Sequence, residues 1–274
     1  MYQSYWGFKE KPFENTPDPR FFYATPKHEE ALMRMIYAVR EHKSAAMLSG
    51  EYGSGKTLLT RLITSYLLTD SNKYNVAVII NPDLSSDELL EEIMYQLGKT
   101  PPTSSKKGEL LRELNTILYS ISQQGKHTVI IVDEAQAIRD EKTLEEMRLL
   151  LNFQLNDRFL LTLLLFGQPE LREKISHVRQ FDQRLSLRYH LYTLSEAETA
   201  HYIKYRCQVA GCDKEIFTSD ACDNIYLATG GVPRLINTVC DTSLLVGMNK
   251  ELQEIDRHIA EEVAIDLNLA IIAK

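Results

Sequence analysis

Between residues 45 and 192, short β-rich apolar runs alternate with helical patterns. The runs fall at 45–48, 76–80, 128–132, 160–166 and 188–192. Each is too short for a core helix and is bounded by turn residues, which predicts buried strands. Two helical stretches, 85–97 and 109–124, lie between the second and third runs. The segment GKTPPTSSKKG at 98–108 separates them, and its Gly, Pro and Ser content forbids a continuous helix and predicts an exposed loop. This βαβα order predicts an α/β fold with a parallel sheet flanked by helices. From Ser195 the β-rich runs stop. Helical patterns follow at 195–210, 218–231, 233–248 and 256–270, with Ser195, Thr218 and Asp256 as N-caps and Glu198 completing a capping box with Ser195. The expected division is an α/β domain over 1–194, whose residues 1–44 are an N-terminal arm and leading helix, and a small helical lid domain over 195–274.

Composition narrows the function classes. A chain of 274 residues with 44% hydrophobic and 25% charged residues is not a disordered, collagen-like or disulfide-scaffold sequence. Its length accommodates one large domain with an appendage, not two full catalytic domains. The net charge of -7 opposes phosphate backbones and anionic lipid overall, so any nucleic-acid surface must be local. The longest strongly apolar stretch, FLLTLLLF at 159–166, falls far short of the ~20 residues that span a bilayer. No membrane span is expected, and the start MYQSYWGFKEKPF lacks secretory-signal character, so the expected compartment is the cytoplasm. Cys207, Cys212, Cys222 and Cys240 have spacings unlike paired zinc motifs. Buried free thiols are the expectation, with a metal or redox role as the alternative.

Candidate chemistry begins after the first run, where Gly50-Glu51-Tyr52-Gly53-Ser54-Gly55-Lys56-Thr57 satisfies G-x-x-x-x-G-K-[ST] and Leu58 leads into a helical pattern. Glycines there let backbone N–H groups wrap a polyphosphate, and the following helix turns its positive end toward the same anion. ATP is the expected ligand across Gly50 to Leu58, with Lys56 on the β- and γ-phosphates and the Thr57 hydroxyl on Mg²⁺. The third run ends in Asp133-Glu134, at the strand edge where ligands bind in such sheets. Asp133 is expected to hold Mg²⁺, and Glu134 to polarise the water that attacks the γ-phosphate. Two carboxylates merely capping a helix are the bland alternative.

The fourth run ends at Gly167 and Gln168. If this strand lies between the first and third, Gln168 is placed to sense the γ-phosphate; a simple turn before Pro169 is the alternative. Arg184 lies just before the last strand and Arg188 within it, in a solvated connector or as a cation offered to a neighbouring subunit's site, Arg184 being the stronger candidate. Arg234 follows Gly230-Gly231-Val232-Pro233 and so sits in the first turn of a helix, where its charge is locally unfavourable. That placement suggests a lid arginine that leans onto the phosphates.

Together these residues resemble the AAA+ ATPases, and the opening is similar to that of the ExeA/GspA-type secretion ATPases. Tyr5-Trp6-Gly7-Phe8, Glu10-Lys11-Pro12-Phe13, Thr16-Pro17-Asp18-Pro19-Arg20-Phe21-Phe22-Tyr23 and His28-Glu29-Glu30-Ala31-Leu32 carry that resemblance, joined by DEAQ at 133–136, GQPEL at 167–171, QRL at 183–185 and GGVPRLIN at 230–237. The resemblance implies Mg²⁺-dependent ATP hydrolysis, a homo-oligomeric ring or filament, and a protein partner in an assembly. It also implies that Phe13 or Tyr23 lines the adenine pocket, plain packing of the arm being the alternative. Neither a membrane span nor an extension past the ATPase module is expected, which sets the chain apart from the family's cell-wall-binding members. Similar modules occur in transposition regulators of the TnsC, TniB and MuB kind, which implies an alternative function in ATP-dependent binding of double-stranded DNA. The candidate DNA contacts are Lys99, Lys106, Lys107, Arg172, Lys174 and Arg179. A DEAQ-box helicase would need a second motor domain, for which the length leaves no room.

Overall fold

In chain order the elements are α1 (Tyr2–Trp6), α2 (Pro26–Arg40), β1 (Ala45–Gly50), α3 (Lys56–Thr69), β2 (Tyr74–Ile79), α4 (Ser86–Gln96), α5 (Lys107–Gln123), β3 (His127–Val132), α6 (Glu141–Leu150), β4 (Leu161–Gly167), α7 (Pro169–His177), α8 (Arg179–Asp182), β5 (Leu185–Leu191), α9 (Glu196–Val209), α10 (Ser219–Thr229), α11 (Pro233–Asn249) and α12 (Arg257–Asp266). The structure, a computed structural model, describes residues 1–100 and 106–269. Part of the loop expected at 98–108, and residue 270 of the last helical pattern, therefore lie outside the described residues. The chain forms two units, one of residues 26–50 and 59–191, the other of residues 1–25, 51–58 and 192 onward.

The first unit is built on the sheet, with strand order β2-β3-β4-β1-β5 and every pairing parallel. Strands β1, β3 and β4 are buried along their whole length, which is why they read as continuous apolar runs rather than as alternating ones. The fourth strand does lie between the first and the third. Helix α4 starts on the side-chain cap of Ser85, whose capping box with Glu88 satisfies donors at both ends of the first turn. Leu89, Leu90, Ile93 and Met94 of that helix join Leu110, Leu114, Ile117 and Leu118 of α5 in one apolar cluster with the sheet.

A histidine pair sits at the amino edge of this sheet. His127, the first residue of β3, is buried, and the imidazoles of His42 and His127 approach Nδ1 to Nδ1 at 2.9 Å. Burial, together with the neighbouring charges of His42 and Arg158, pushes His127 down from 6.5 to about 3. The folded state therefore holds His127 neutral where the unfolded chain would protonate it. That contribution is complete above pH ~6.5 and is lost as pH falls toward ~3, at ~1.4 kcal/mol for each unit of the depression. A urea midpoint that falls across this window in wild type, and falls less steeply in His127→Gln, is the expected result. Parallel pH profiles in the two proteins would refute it.

The second unit is helical. Ser195, Thr218 and Asp256 cap α9, α10 and α12 through their side chains as expected, and Glu198 completes the Ser195 capping box. The sequence division grouped residues 1–25 with the α/β domain, whereas the packing groups them with these helices. Tyr2, Trp6, Phe8, Phe13 and Phe21 are buried in a cluster with Tyr202, Ile203, Ile225, Ile236 and Leu244. The buried Arg206 cements the arm, donating to the carbonyls of Pro12 at 2.5 Å and Glu14 at 3.0 Å with its guanidinium over the Phe21 ring. Gly231 shows why glycine stands before α11. Its φ is +72°, and a Cβ there would lie 1.9 Å from the carbonyl oxygen of Leu194. All four cysteines belong to this unit and are free and buried. Burial raises the thiols of Cys207 and Cys240, and holds Cys222 up at about 11, so they serve as apolar packing groups.

Candidate nucleotide site

Within the helical unit, the loop of residues 51–58 has the form of a phosphate cradle. Gly53 and Gly55 adopt φ of +80° and +102°, conformations that side chains disfavour, so the tight reversal depends on glycine. The Ser54 N–H donates to the Glu51 carbonyl at 3.1 Å, and buried Lys56 donates its Nζ to the same carbonyl at 2.8 Å, closing the loop on itself. Thr57 is exposed at the second position of α3. A helix N-terminus opening directly out of a glycine turn offers backbone donors and a positive dipole to an anion. The residues present therefore fit a nucleoside triphosphate.

Arg234 meets this loop directly. The backbone N–H of Arg234 donates to the Gly53 carbonyl at 3.3 Å, and a Cβ on Gly53 would lie 2.7 Å from the Arg234 Cβ. Its guanidinium stands 5.0 Å from the centroid of the Tyr52 ring. Among the described residues no carboxylate pairs with it, and cation–π contact with an exposed ring contributes only ~0.5–1 kcal/mol. The arginine that sequence reading placed at an unfavourable helix end is thus stacked on the phosphate loop's own aromatic residue. Phe13 packs edge to face on Phe217 at 5.8 Å and is buried, so it follows the packing reading rather than the adenine one. Tyr23 packs against the rings of Tyr202 and Tyr205 and is partly buried.

Within the sheet unit, register brings the other candidates to one edge. Ile79 pairs with Val132, Val132 with Leu165 and Ser49 with Gly167, so β1, β2, β3 and β4 all end at the same edge. Gly50, from which the phosphate loop departs, ends β1 at this edge. Asp133 is buried there and anchored by its N–H to the Ile79 carbonyl at 2.9 Å. Glu134 then takes a left-handed conformation, φ 51° and ψ 35°, which costs a non-glycine residue ~1–2 kcal/mol and turns the chain sharply off the strand.

Two amides grip the Glu134 carboxylate. Gln136 donates Nε2 to Glu134 Oε2 at 2.5 Å, and Gln168 Nε2 reaches the same oxygen at 3.5 Å. The other end of the Gln136 amide accepts the Gln168 backbone N–H at 2.9 Å, joining the end of β3 to the end of β4. Gly167 is required for this approach, because a Cβ there would lie 2.8 Å from Gln136 Oε1. The sequence pointed to Gln168 as a γ-phosphate sensor, and the structure brings its amide to Glu134; it assigned no role to Gln136, which appeared only as the last letter of DEAQ. Nothing in the sequence signals that its amide bridges two strand ends, since the contact depends on the left-handed turn at Glu134. Among the described residues no group of three or more His, Cys, Asp or Glu side chains converges on a metal position. Mg²⁺ in a phosphate-loop site relies mainly on phosphate and water oxygens, so a hydroxyl and one carboxylate suffice.

The remaining arginines differ in their commitments. Arg188 forms an ion pair with Asp182 at 3.0 Å, whereas Arg184 donates only to Asn152 Oδ1 at 3.1 Å and the Leu151 carbonyl at 3.5 Å. Two candidate DNA contacts are occupied internally. Lys107 pairs with the fully buried Glu146, and Lys174 donates to the carbonyls of Gln136 and Ile138. No helix among the described residues is long and apolar enough to cross a membrane.

The family model of the AAA domain matches residues 39–175. General secretion pathway protein A of Aeromonas hydrophila is 36% identical over 249 residues, covering 89% of this chain and 44% of that protein. This chain belongs to the AAA+ ATPases of the ExeA/GspA type. It spans less than half the length of that relative. Among solved structures, the AAA+ fold recurs in the ORC2 protein of Aeropyrum pernix in its ADPNP-ADP complexes, with TM-score 0.64, 14% identity and coverage of 90% of this chain and 71% of that one. The RuvB Holliday junction branch migration motor of Thermotoga maritima superposes with TM-score 0.61, 18% identity and coverage of 90% and 70%. Both likenesses concern the fold alone.

Proposed function

We propose that this ATPase works as a Mg²⁺-dependent, oligomeric assembly factor that passes its nucleotide state to a protein partner, as its likeness to general secretion pathway protein A suggests. The observation that supports this most is the grip of Gln136 and Gln168 on Glu134. A hydrolytic carboxylate held by the ends of two strands is a group whose position reports, and responds to, what occupies the sheet edge. In this reading the loop amides of residues 51–57 and Lys56 hold the polyphosphate, with Lys56 exchanging the Glu51 carbonyl for phosphate oxygens. Thr57 and Asp133 would hold Mg²⁺, which supplies charge neutralisation at the phosphates. Glu134 accepts the proton of the attacking water, Gln168 senses the γ-phosphate, and Arg234 leaves the Tyr52 ring for the phosphates.

Lys56→Ala is expected to reduce binding of a fluorescent ATP analogue by about tenfold or more, since it removes a charge-assisted contact to the phosphates. Unchanged affinity would overturn the assignment of the loop. Arg234→Ala is expected to fold normally yet to lose much of the protection from limited proteolysis that ATP confers on residues 195–269. Identical protection in mutant and wild type would make Arg234 structural.

A further inference from the structure

At the amino edge of the sheet a second arrangement of charge stands apart from the residues assigned to ATP. The six residues of β3 separate its first residue, His127, from Asp133, roughly 20 Å along the strand. A cavity of ≈250 Å³ opens there among the end of α2, the start of β2, the turn between α5 and β3, and the segment before β4. Arg40, Lys73, Lys126 and Arg158 line it together with His42 and His127, and no carboxylate among the described residues does. In a chain of net charge -7 this is a local reversal of sign. Lys73 is engaged by Asp70 and Arg40 by the Tyr66 hydroxyl. Lys126 has no side-chain partner among the described residues, and Arg158 makes only a 3.4 Å contact to the Ser122 hydroxyl. Two cations in one cavity therefore lack a counter-charge.

The hydrogen-bond order of the histidines adds a third donor. Thr162 Oγ1 donates to the Lys43 carbonyl at 2.6 Å, so His127 Nε2 must be the donor in its 2.8 Å contact with that hydroxyl. His127 Nδ1 is then an acceptor, and His42 donates Nδ1–H to it. This leaves His42 Nε2 without a protein partner among the described residues. A proton added there disturbs neither contact, whereas a proton on His127 would set two N–H groups face to face. His42 is held at φ 48°, the left-handed position after α2 where glycine is the favoured residue, so its side chain is kept against a backbone cost.

We propose that this cavity binds a phosphate group, with Lys126, Arg158 and protonated His42 as its principal ligands. A tetrahedral phosphate oxyanion accepts donors from several directions at once. That matches cations arriving from separate segments of the chain better than a planar carboxylate does. The phosphate belongs either to a small soluble ester or to a phosphodiester backbone. An adjoining groove of ≈660 Å³, which shares His42 and Arg158 and is bordered by Lys43, Glu41 and Asp157, leaves space for chain beyond the phosphate. An anion here would offset the Arg158 charge that, with burial, depresses His42.

The test follows the His42 imidazole by NMR in the Lys56→Ala background, so that the phosphate loop does not take the probe, with His42→Gln identifying the resonance. Inorganic phosphate should shift this resonance saturably and raise its titration midpoint. Adding Lys126→Ala and Arg158→Ala should weaken the effect by about tenfold or more while leaving the melting temperature near that of the parent. A short DNA duplex is the second probe. Displacement of phosphate by duplex at lower concentration assigns the site to a phosphodiester backbone, and saturation by phosphate without displacement assigns it to a small ester. The proposal fails if neither probe perturbs His42, or if the perturbation survives loss of both cations in a folded protein.

Discussion

Glu134→Gln is expected to lower ATP turnover by ~10²–10⁴-fold while ATP still binds, the range set by loss of a general base. The substitution isolates one property. A glutamine at this position keeps the length and an acceptor oxygen for Gln136 Nε2, which now bonds Glu134 Oε2 at 2.5 Å, so the bridge between the ends of β3 and β4 persists. What is lost is the capacity to take a proton from water. Nucleotide affinity and release of phosphate in a single turnover, measured side by side, check the expectation. Wild-type turnover in the variant would remove Glu134 from the chemistry and leave its grip by two amides as a structural feature.

Arg184→Ala is expected to cost ~10³-fold or more in turnover, with ATP affinity far less affected than in Lys56→Ala. Register supplies the reason. Leu185 pairs with Ala45, Ala45 with Leu163 and Leu163 with Ile130, so Arg184 lies near the level of Val129, three strands across from β3. Strand spacing and rise put its backbone roughly 20 Å from that of Asp133, beyond the reach of one side chain. Within its own subunit Arg184 is too far away to serve the γ-phosphate, which is why the expected role is in trans. Its weak contacts to Asn152 and Leu151 leave the guanidinium available, whereas Arg188 is held by Asp182. Mixing Arg184→Ala with Glu134→Gln tests the trans arrangement, because a mixed interface can pair an intact pocket with an intact arginine. Partial recovery of activity is the expected outcome. Co-assembly without recovery would reject Arg184 in this role and direct the same experiment to Arg188.

The α/β order, the parallel sheet and the four helices after Ser195 were legible in the chain because their causes are local. Strands buried on both faces read as unbroken apolar runs, and Ser195, Thr218 and Asp256 announce helix starts through hydrogen bonds made within one turn. The phosphate loop was legible for the same reason, since a G-x-x-x-x-G-K-T run carries its own backbone conformation and its own helix. Asp133, Glu134 and Gln168 were legible as strand-terminal residues, given a sheet order that places β4 between β1 and β3.

Tertiary structure alone decided the features that depend on distant partners. The arm's Phe13 and Phe21 are ordinary aromatic residues in sequence, and only partners far along the chain, Arg206 and the apolar faces of the later helices, bring them into the helical unit. Gln136 gained its place through the left-handed turn at Glu134, Arg234 found the Tyr52 ring, and Lys107 and Lys174 were drawn inward to Glu146 and to backbone carbonyls. The pairing of His42 with His127 depends on the turn after α2 meeting the start of β3 at the amino edge of the sheet. Periodicity and motif spacing report what a residue does within a few turns of itself. Long side chains and buried polar groups take their partners from whatever the fold brings near, and that information exists only once the chain has closed on itself.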